Sequence, residues 1–143
     1  MSEAINIAKE ALRIVDARDI KALRALVSPD VVFWDATGTY KGVDAVAQYF
    51  QTYAEAMPKN EPSVIHAWAA SGDTAFLEVT SATKHTGILR TPNGDVPPSG
   101  RSVKIPYVIV AKSEAGKLCE LRFYYDQMAF LGQLGLLPQT VAA

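Results

Sequence analysis

Cysteine and histidine are scarce in this chain: Cys119 stands alone, and the histidines are His66 and His85. A single thiol closes no intrachain disulfide, so a reducing compartment, by default the cytoplasm, is the expectation. The spacing of these three residues matches no zinc or iron pattern, and no structural metal is expected. No apolar run approaches the ~20 residues of a membrane helix, and Met1-Ser2-Glu3-Ala4 opens a helix rather than a signal peptide. Charge of one sign is also missing: 14 basic residues face 15 acidic ones, for a net −1. That balance argues against nucleic acid and lipid surfaces as partners. Phosphate-binding glycine loops, a Ser-His-Asp set, a Cys-His pair and a dinucleotide fingerprint are absent as well.

What remains is an ordinary globular composition, 49% hydrophobic and 20% charged over 143 residues. This length suits one domain, expected over residues 1–138 with a short tail at 139–143. Ser2 caps a first helix whose stripe is Ile5, Ala8, Leu12 and Val15. Asp19 starts a short second helix that Ser28-Pro29 stops. Val31-Val32-Phe33-Trp34 reads as a buried strand and Thr37-Gly38-Thr39 as a turn. A third helix follows Gly42, with Val46, Ala47, Phe50 and Met57 on one face. The period then changes. Ser63–Ala70, Thr74–Thr86, Ser102–Lys112 and Lys117–Tyr125 are strands rich in Val, Ile, Thr and aromatics. The short connections Ser71-Gly72-Asp73 and Glu114-Ala115-Gly116 make hairpins of their neighbours. Gly87 to Gly100 reads as a long loop of the kind that forms lids. Asp126 ends the last strand and opens a closing helix. The expected architecture is α+β: a cone-shaped barrel of a strongly curved, mostly antiparallel sheet, with helices across its concave face and a cavity between.

Three stretches resemble the SnoaL-like polyketide cyclase group of the nuclear-transport-factor-two-like superfamily. They are Phe33 with Gly38-Thr39-Tyr40-Lys41-Gly42 and Tyr49-Phe50; His85-Thr86-Gly87 with Pro97-Pro98-Ser99-Gly100-Arg101; and Gly116-Lys117-Leu118 with Tyr124-Tyr125-Asp126-Gln127 and Leu131-Gly132-Gln133-Leu134-Gly135-Leu136. The resemblance implies a cone-shaped fold, often dimeric, and cofactor-free closure of a polyketide ring by intramolecular aldol condensation. By motif, Asp126 matches the family's acid/base aspartate and His85 its assisting histidine. Arg122 stands where many relatives carry an aromatic, which implies a pocket tolerant of anions.

Each candidate also has a plainer reading. Asp126 is a preferred residue for capping a helix, and enclosure by apolar walls would instead suit it to proton transfer. Alternation sets Glu120, Arg122, Tyr124 and Asp126 on one face of the last strand and Cys119, Leu121, Phe123 and Tyr125 on the other. Which face meets a pocket is left open. Arg122 either binds an anion or pairs with Glu120 or Asp126. His85 either moves a proton or bonds structurally at a strand end. Trp34, Tyr40, Tyr49, Tyr53, Trp68, Tyr107 and Tyr124 suit pocket walls and core alike. Asp35 suits a turn or solvent better than a second pocket carboxylate.

The leading expectation is a cofactor-independent acid/base enzyme for a small hydrophobic carbonyl compound, with Asp126 and His85 catalytic. Trp34, Tyr40, Tyr53, Trp68, Tyr107, Arg122 and Tyr124 would hold the substrate. Isomerase or epoxide-hydrolase chemistry in the same pocket, and a carrier or sensor of a lipophilic ligand without chemistry, are the alternatives. A homodimer through the outer face of the sheet is expected, since an apolar strand face needs covering.

Overall fold

The computed structural model describes residues 2–58 and 61–137. Pro138 and the expected tail, 139–143, lie outside the described residues. Helix α1, Glu3–Asp16, begins where Ser2 Oγ accepts the Ile5 N–H at 3.1 Å. Its apolar stripe is buried at Ile5, Ala8 and Leu12. The Asp19 side chain accepts the Ala22 N–H at 3.0 Å and so opens α2, Ile20–Leu26. That helix stops ahead of the expected Ser28-Pro29 breaker and passes directly into strand β1, Val27–Asp35. Pro29 has no N–H to give a ladder, and the pairing of β1 is irregular between Val27 and Val32.

Strand β2, Gly38–Lys41, folds back on β1, and Gly42 leads into helix α3, Val43–Ala56. The second half is the anticipated meander: β3, Val64–Ser71; β4, Thr74–Lys84; β7, Ser102–Glu114; and β8, Lys117–Tyr125. Consecutive members pair antiparallel. The β7–β8 turn carries positive φ at both Ala115 and Gly116, the pattern of a two-residue hairpin with the twist of its strands. Between β4 and β7 the expected plain loop folds a small sheet of its own, β5, Leu89–Thr91, paired with β6, Gly94–Val96. Leu89 is buried there and anchors it to a second apolar cluster with Met57, Ile105 and Phe130. Helix α4, Gln127–Gln133, closes the described chain, clipped to β7 by Gln133, whose amide bonds the Lys104 N–H and C=O at 2.6 and 2.9 Å.

Strand order in the main sheet is β2-β1-β8-β7-β4-β3, with β1 and β8 parallel. That parallel pair draws the first half of the chain into the meander. It also corrects the expected barrel: β2 and β3 are the two edges of the main sheet, which is open rather than a strongly curled, closed cone. The fold is α+β with a mostly antiparallel sheet and four helices.

Register decides what each face does. One cross-strand row joins Phe33, Leu121, Ala111 and Ala75, all buried. The adjoining rows on that face carry Phe123 with Ile109 and Leu77, and Tyr125 with Tyr107 and Val79. Helices α1 and α3 contribute Ile5, Leu12, Val46 and Phe50 to the same core. The opposite face carries the row Trp34, Arg122, Val110 and Phe76.

Candidate functional site

A cavity of about 110 Å³, partly open to solvent, lies where α1, α3 and α4 meet the helix side of the sheet. Its walls are mainly apolar: Val15, Phe50, Met57, Val103, Ile105, Phe123 and Phe130. An engineered cavity of about 150 Å³ holds a benzene ring, so this space suits one ring or the end of a larger molecule. Polar side chains enter from two sides. They fall into two hydrogen-bonded groups.

The first group centres on Asp35, at the end of β1. Alternation from Val31 and Phe33 turns it to the helix side, where it is 1% exposed. Its Oδ1 accepts the Thr37 N–H at 2.8 Å and the Thr37 hydroxyl at 2.6 Å. Its Oδ2 accepts the Tyr49 hydroxyl and, at 3.5 Å, that of Tyr125. Asp35 therefore does make the turn bond its sequence context suggests. It also holds two tyrosines of the cavity wall.

The second group begins at the corner between α1 and α2. Asp16 ends α1, and its carboxylate accepts the Ser63 N–H and hydroxyl, each at 2.8 Å. Ser81 Oγ lies 2.8 Å from Ser63 Oγ and 3.1 Å from Tyr107 Oη. Arg18 lines the cavity beside Asp16 with φ +58, a left-handed conformation that side chains other than glycine adopt at a cost of about 1–2 kcal/mol. Its Nε donates to the Met57 carbonyl and its Nη1 to the Val15 carbonyl, both at 2.9 Å.

Burial tunes these groups. It pushes the Tyr107 phenol up to about 12, against the pull of Ser81, and raises Tyr53 further still. Tyr49 and Tyr125 are raised first by burial, then by neighbouring tyrosines and Asp35. All four phenols stay neutral at ordinary pH, and neutral phenols are hydrogen-bond donors. Burial lowers the Arg18 guanidinium, while Asp16 pulls the other way.

Of the residues expected to act on or hold the substrate, Tyr53 and Tyr107 line this cavity, as does Tyr49 from the wider set of aromatics. Asp126 is exposed and outside it; its carboxylate accepts the Ala129 N–H at 3.0 Å and caps α4. Arg122 pairs with Glu120 on the outward face, with Nε buried and lacking a partner among the described residues. Trp34 and Tyr124 share that face, with ring centres 5.0 Å apart. The register makes this outcome necessary: once Phe123 and Tyr125 face the helices, Arg122 and Tyr124 cannot.

Trp68 lies on the edge strand, 52% exposed, with Lys9 Nζ 4.3 Å from its ring centre. Tyr40 packs against Phe33 and Tyr49 in the core, its hydroxyl 2.7 Å from Thr37 Oγ1. His85 is fully buried but does not line the cavity. Its Nδ1 lies 2.9 Å from Ser99 Oγ and 3.3 Å from the Ser99 N, which ties down the segment before β7. Sequence reasoning missed Asp16, Arg18 and Tyr125. The available signal was a charged pair, Asp16 and Arg18, at the junction of two helical patterns.

An open six-stranded sheet with helices on one side and an apolar, tyrosine-lined cavity between them defines the architecture as α+β. Residues 8–121 match the SnoaL-like domain, and the chain belongs to that family. A comparison with curated proteins gives no match. Among solved structures, the chain is similar to a protein of Jannaschia sp. CCS1 provisionally named a SnoaL-like polyketide cyclase. The TM-score is 0.81 at 18% identity, covering 95% of this chain and 94% of that one. It is similar to AclR of Streptomyces galilaeus, provisionally named a hydroxylase, with TM-score 0.78, 22% identity and coverage of 99% and 86%. It also resembles an LEH-like epoxide hydrolase of M. tuberculosis, with TM-score 0.70, 19% identity and coverage of 92% and 89%. At such identities the likeness establishes the fold alone.

Proposed function

We propose that the chain is a cofactor-independent acid/base enzyme acting on a small hydrophobic carbonyl compound. One observation carries this reading: a held carboxylate and several neutral phenols share one apolar cavity. Asp16 takes the proton from the carbon beside the carbonyl. The C–H electron pair moves onto the carbonyl oxygen, and the enolate oxygen receives hydrogen bonds from Tyr53 and Tyr107. Reprotonation at another carbon gives an isomerase. Attack of the enolate carbon on a second carbonyl of the same molecule gives the aldol-type cyclase that the family suggests. The proton taken by Asp16 then goes to the new alkoxide. A cavity of about 110 Å³ admits only the reacting end of a polycyclic substrate.

The test is deuterium exchange beside the carbonyl of cyclic aryl ketones in D₂O, followed by proton NMR. Wild-type protein should accelerate exchange, and Asp16→Asn should slow it by roughly two to four orders of magnitude. Exchange at the buffer rate across the panel, or an unaffected Asn variant, would refute the assignment. A carrier without chemistry is the second reading. It is favoured by the number of protein donors that already hold Asp16 and Asp35. Ketone binding without exchange would select it.

A further inference from the structure

Arg18 is a cavity residue whose placement the acid/base reading leaves unexplained. It takes a backbone conformation that glycine or asparagine would adopt more cheaply, and it brings a cation to a mainly apolar wall. Two of its nitrogens are committed to the Met57 and Val15 carbonyls, which fix the plane of the guanidinium. The third, Nη2, has no hydrogen-bond partner among the described residues. Tyr107 stands on the same cavity. Its hydroxyl lies 3.1 Å from Ser81 Oγ and, as a rotatable donor, can turn to a ligand. Both oxygens of the nearby Asp16 receive bonds from Ser63. This wall offers one unspent charged donor and a hydroxyl that can turn to a ligand, and asks for an acceptor that carries charge.

We propose that Arg18 is the anion-binding residue of the cavity and that its ligands are small apolar carboxylic acids. The carboxylate rests on the guanidinium and the Tyr107 hydroxyl. The hydrocarbon or aromatic body lies against Phe50, Ile105, Phe123 and Phe130. The proposal rests on the cavity being the binding site, as in the preceding reading, and adds the charge of the ligand. It moves the anion tolerance implied at Arg122 to a residue on the other side of the sheet. A guanidinium held by two carbonyls is preorganised for a planar, charged acceptor, and it is less heavily hydrated than an ammonium. Asp16, on the same wall, offsets part of its attraction, so the gain from ligand charge is moderate.

The experiment compares isosteric probes on the wild-type protein: benzoate, benzamide and methyl benzoate, then the three corresponding cyclohexane compounds. Binding is read by ligand-observed NMR and titration calorimetry at pH 7. The acids should bind about ten-fold more tightly than their amides and esters. Arg18→Gln should abolish that preference, and Arg18→Lys should keep part of it. Because Arg18 also anchors two carbonyls, each variant is first checked for an intact thermal transition. The wild-type comparison stands without them. Equal binding of acid, amide and ester would overturn the anion assignment and leave a neutral-ligand pocket. Failure of every probe to bind would overturn both readings. A preference for acids without deuterium exchange at any ketone would uphold this proposal and remove the enzymatic one.

Discussion

Removing the Tyr49 hydroxyl tests whether Asp35 organises the cavity wall. Tyr49→Phe keeps the ring and its contacts with Phe33 and Tyr40, whose centres lie 4.7 and 4.8 Å away. Only the hydrogen bond to a buried carboxylate is lost, worth about 1.5–3 kcal/mol for a charged acceptor. At roughly 2–4 °C per kcal/mol for a domain near this size, Tm should fall by about 3–12 °C. Asp35→Ala goes further. It removes the acceptor of the Thr37 N–H and of both phenols, and should cost about 3–5 kcal/mol. Asp35→Asn should fall between wild type and Ala, since its oxygen still accepts from Thr37 while Tyr49 turns to accept from the amide. If the two side chains act through one bond, the Asp35→Ala/Tyr49→Phe double variant loses less than the sum of the singles, by about 1 kcal/mol or more. Urea unfolding followed by circular dichroism gives these numbers, provided the m-values match. Additivity within about 0.5 kcal/mol would show that Tyr49 and Asp35 are neighbours without being partners.

Asp126→Asn should leave stability and any turnover near wild type, while Asp126→Ala should lose about 0.5–2 kcal/mol, the value of a helix cap. A large drop in turnover for the Asn variant, with stability unchanged, would return Asp126 to the chemistry. Alkaline pH should destabilise the chain: Tyr107 ionises near 10 when unfolded and at about 12 when folded, so between these values the unfolded state has released a proton that the native state keeps. Tyr49, Tyr53 and Tyr125 act in the same direction, so stability is full below about pH 10 and declines above it; chemical denaturation at stepped pH would show no such decline if the four phenols were exposed. Gly87→Ala should be severe, because a Cβ there would lie 1.8 Å from the Glu55 carbonyl oxygen at the end of α3. A loss of about 1–3 kcal/mol or outright misfolding is the expected result, and a normal melting curve would contradict that close approach.

The sequence by itself determined the local pieces, because caps, stripes and tight turns are settled by residues a few positions apart. Ser2, Asp19 and Asp126 cap the helices their positions suggest. The two short connections close the hairpins, and the family resemblance follows from blocks along the chain. Tertiary structure alone decided which strand face would be the site. Alternation along β8 divides its residues into two sets, but only the packing of α1 and α3 gives one set the cavity and the other the outside. The parallel pairing of β1 with β8 brings Asp35 to Tyr125, 90 residues away, and no local pattern carries that distance. Asp16 meets Ser63 across 47 residues in the same way. A functional constellation is a set of long-range contacts, which periodicity cannot encode. For that reason the helix cap at Asp126 was legible in the chain, while the charged corner at Asp16 and Arg18 emerged only when the helices were laid on the sheet.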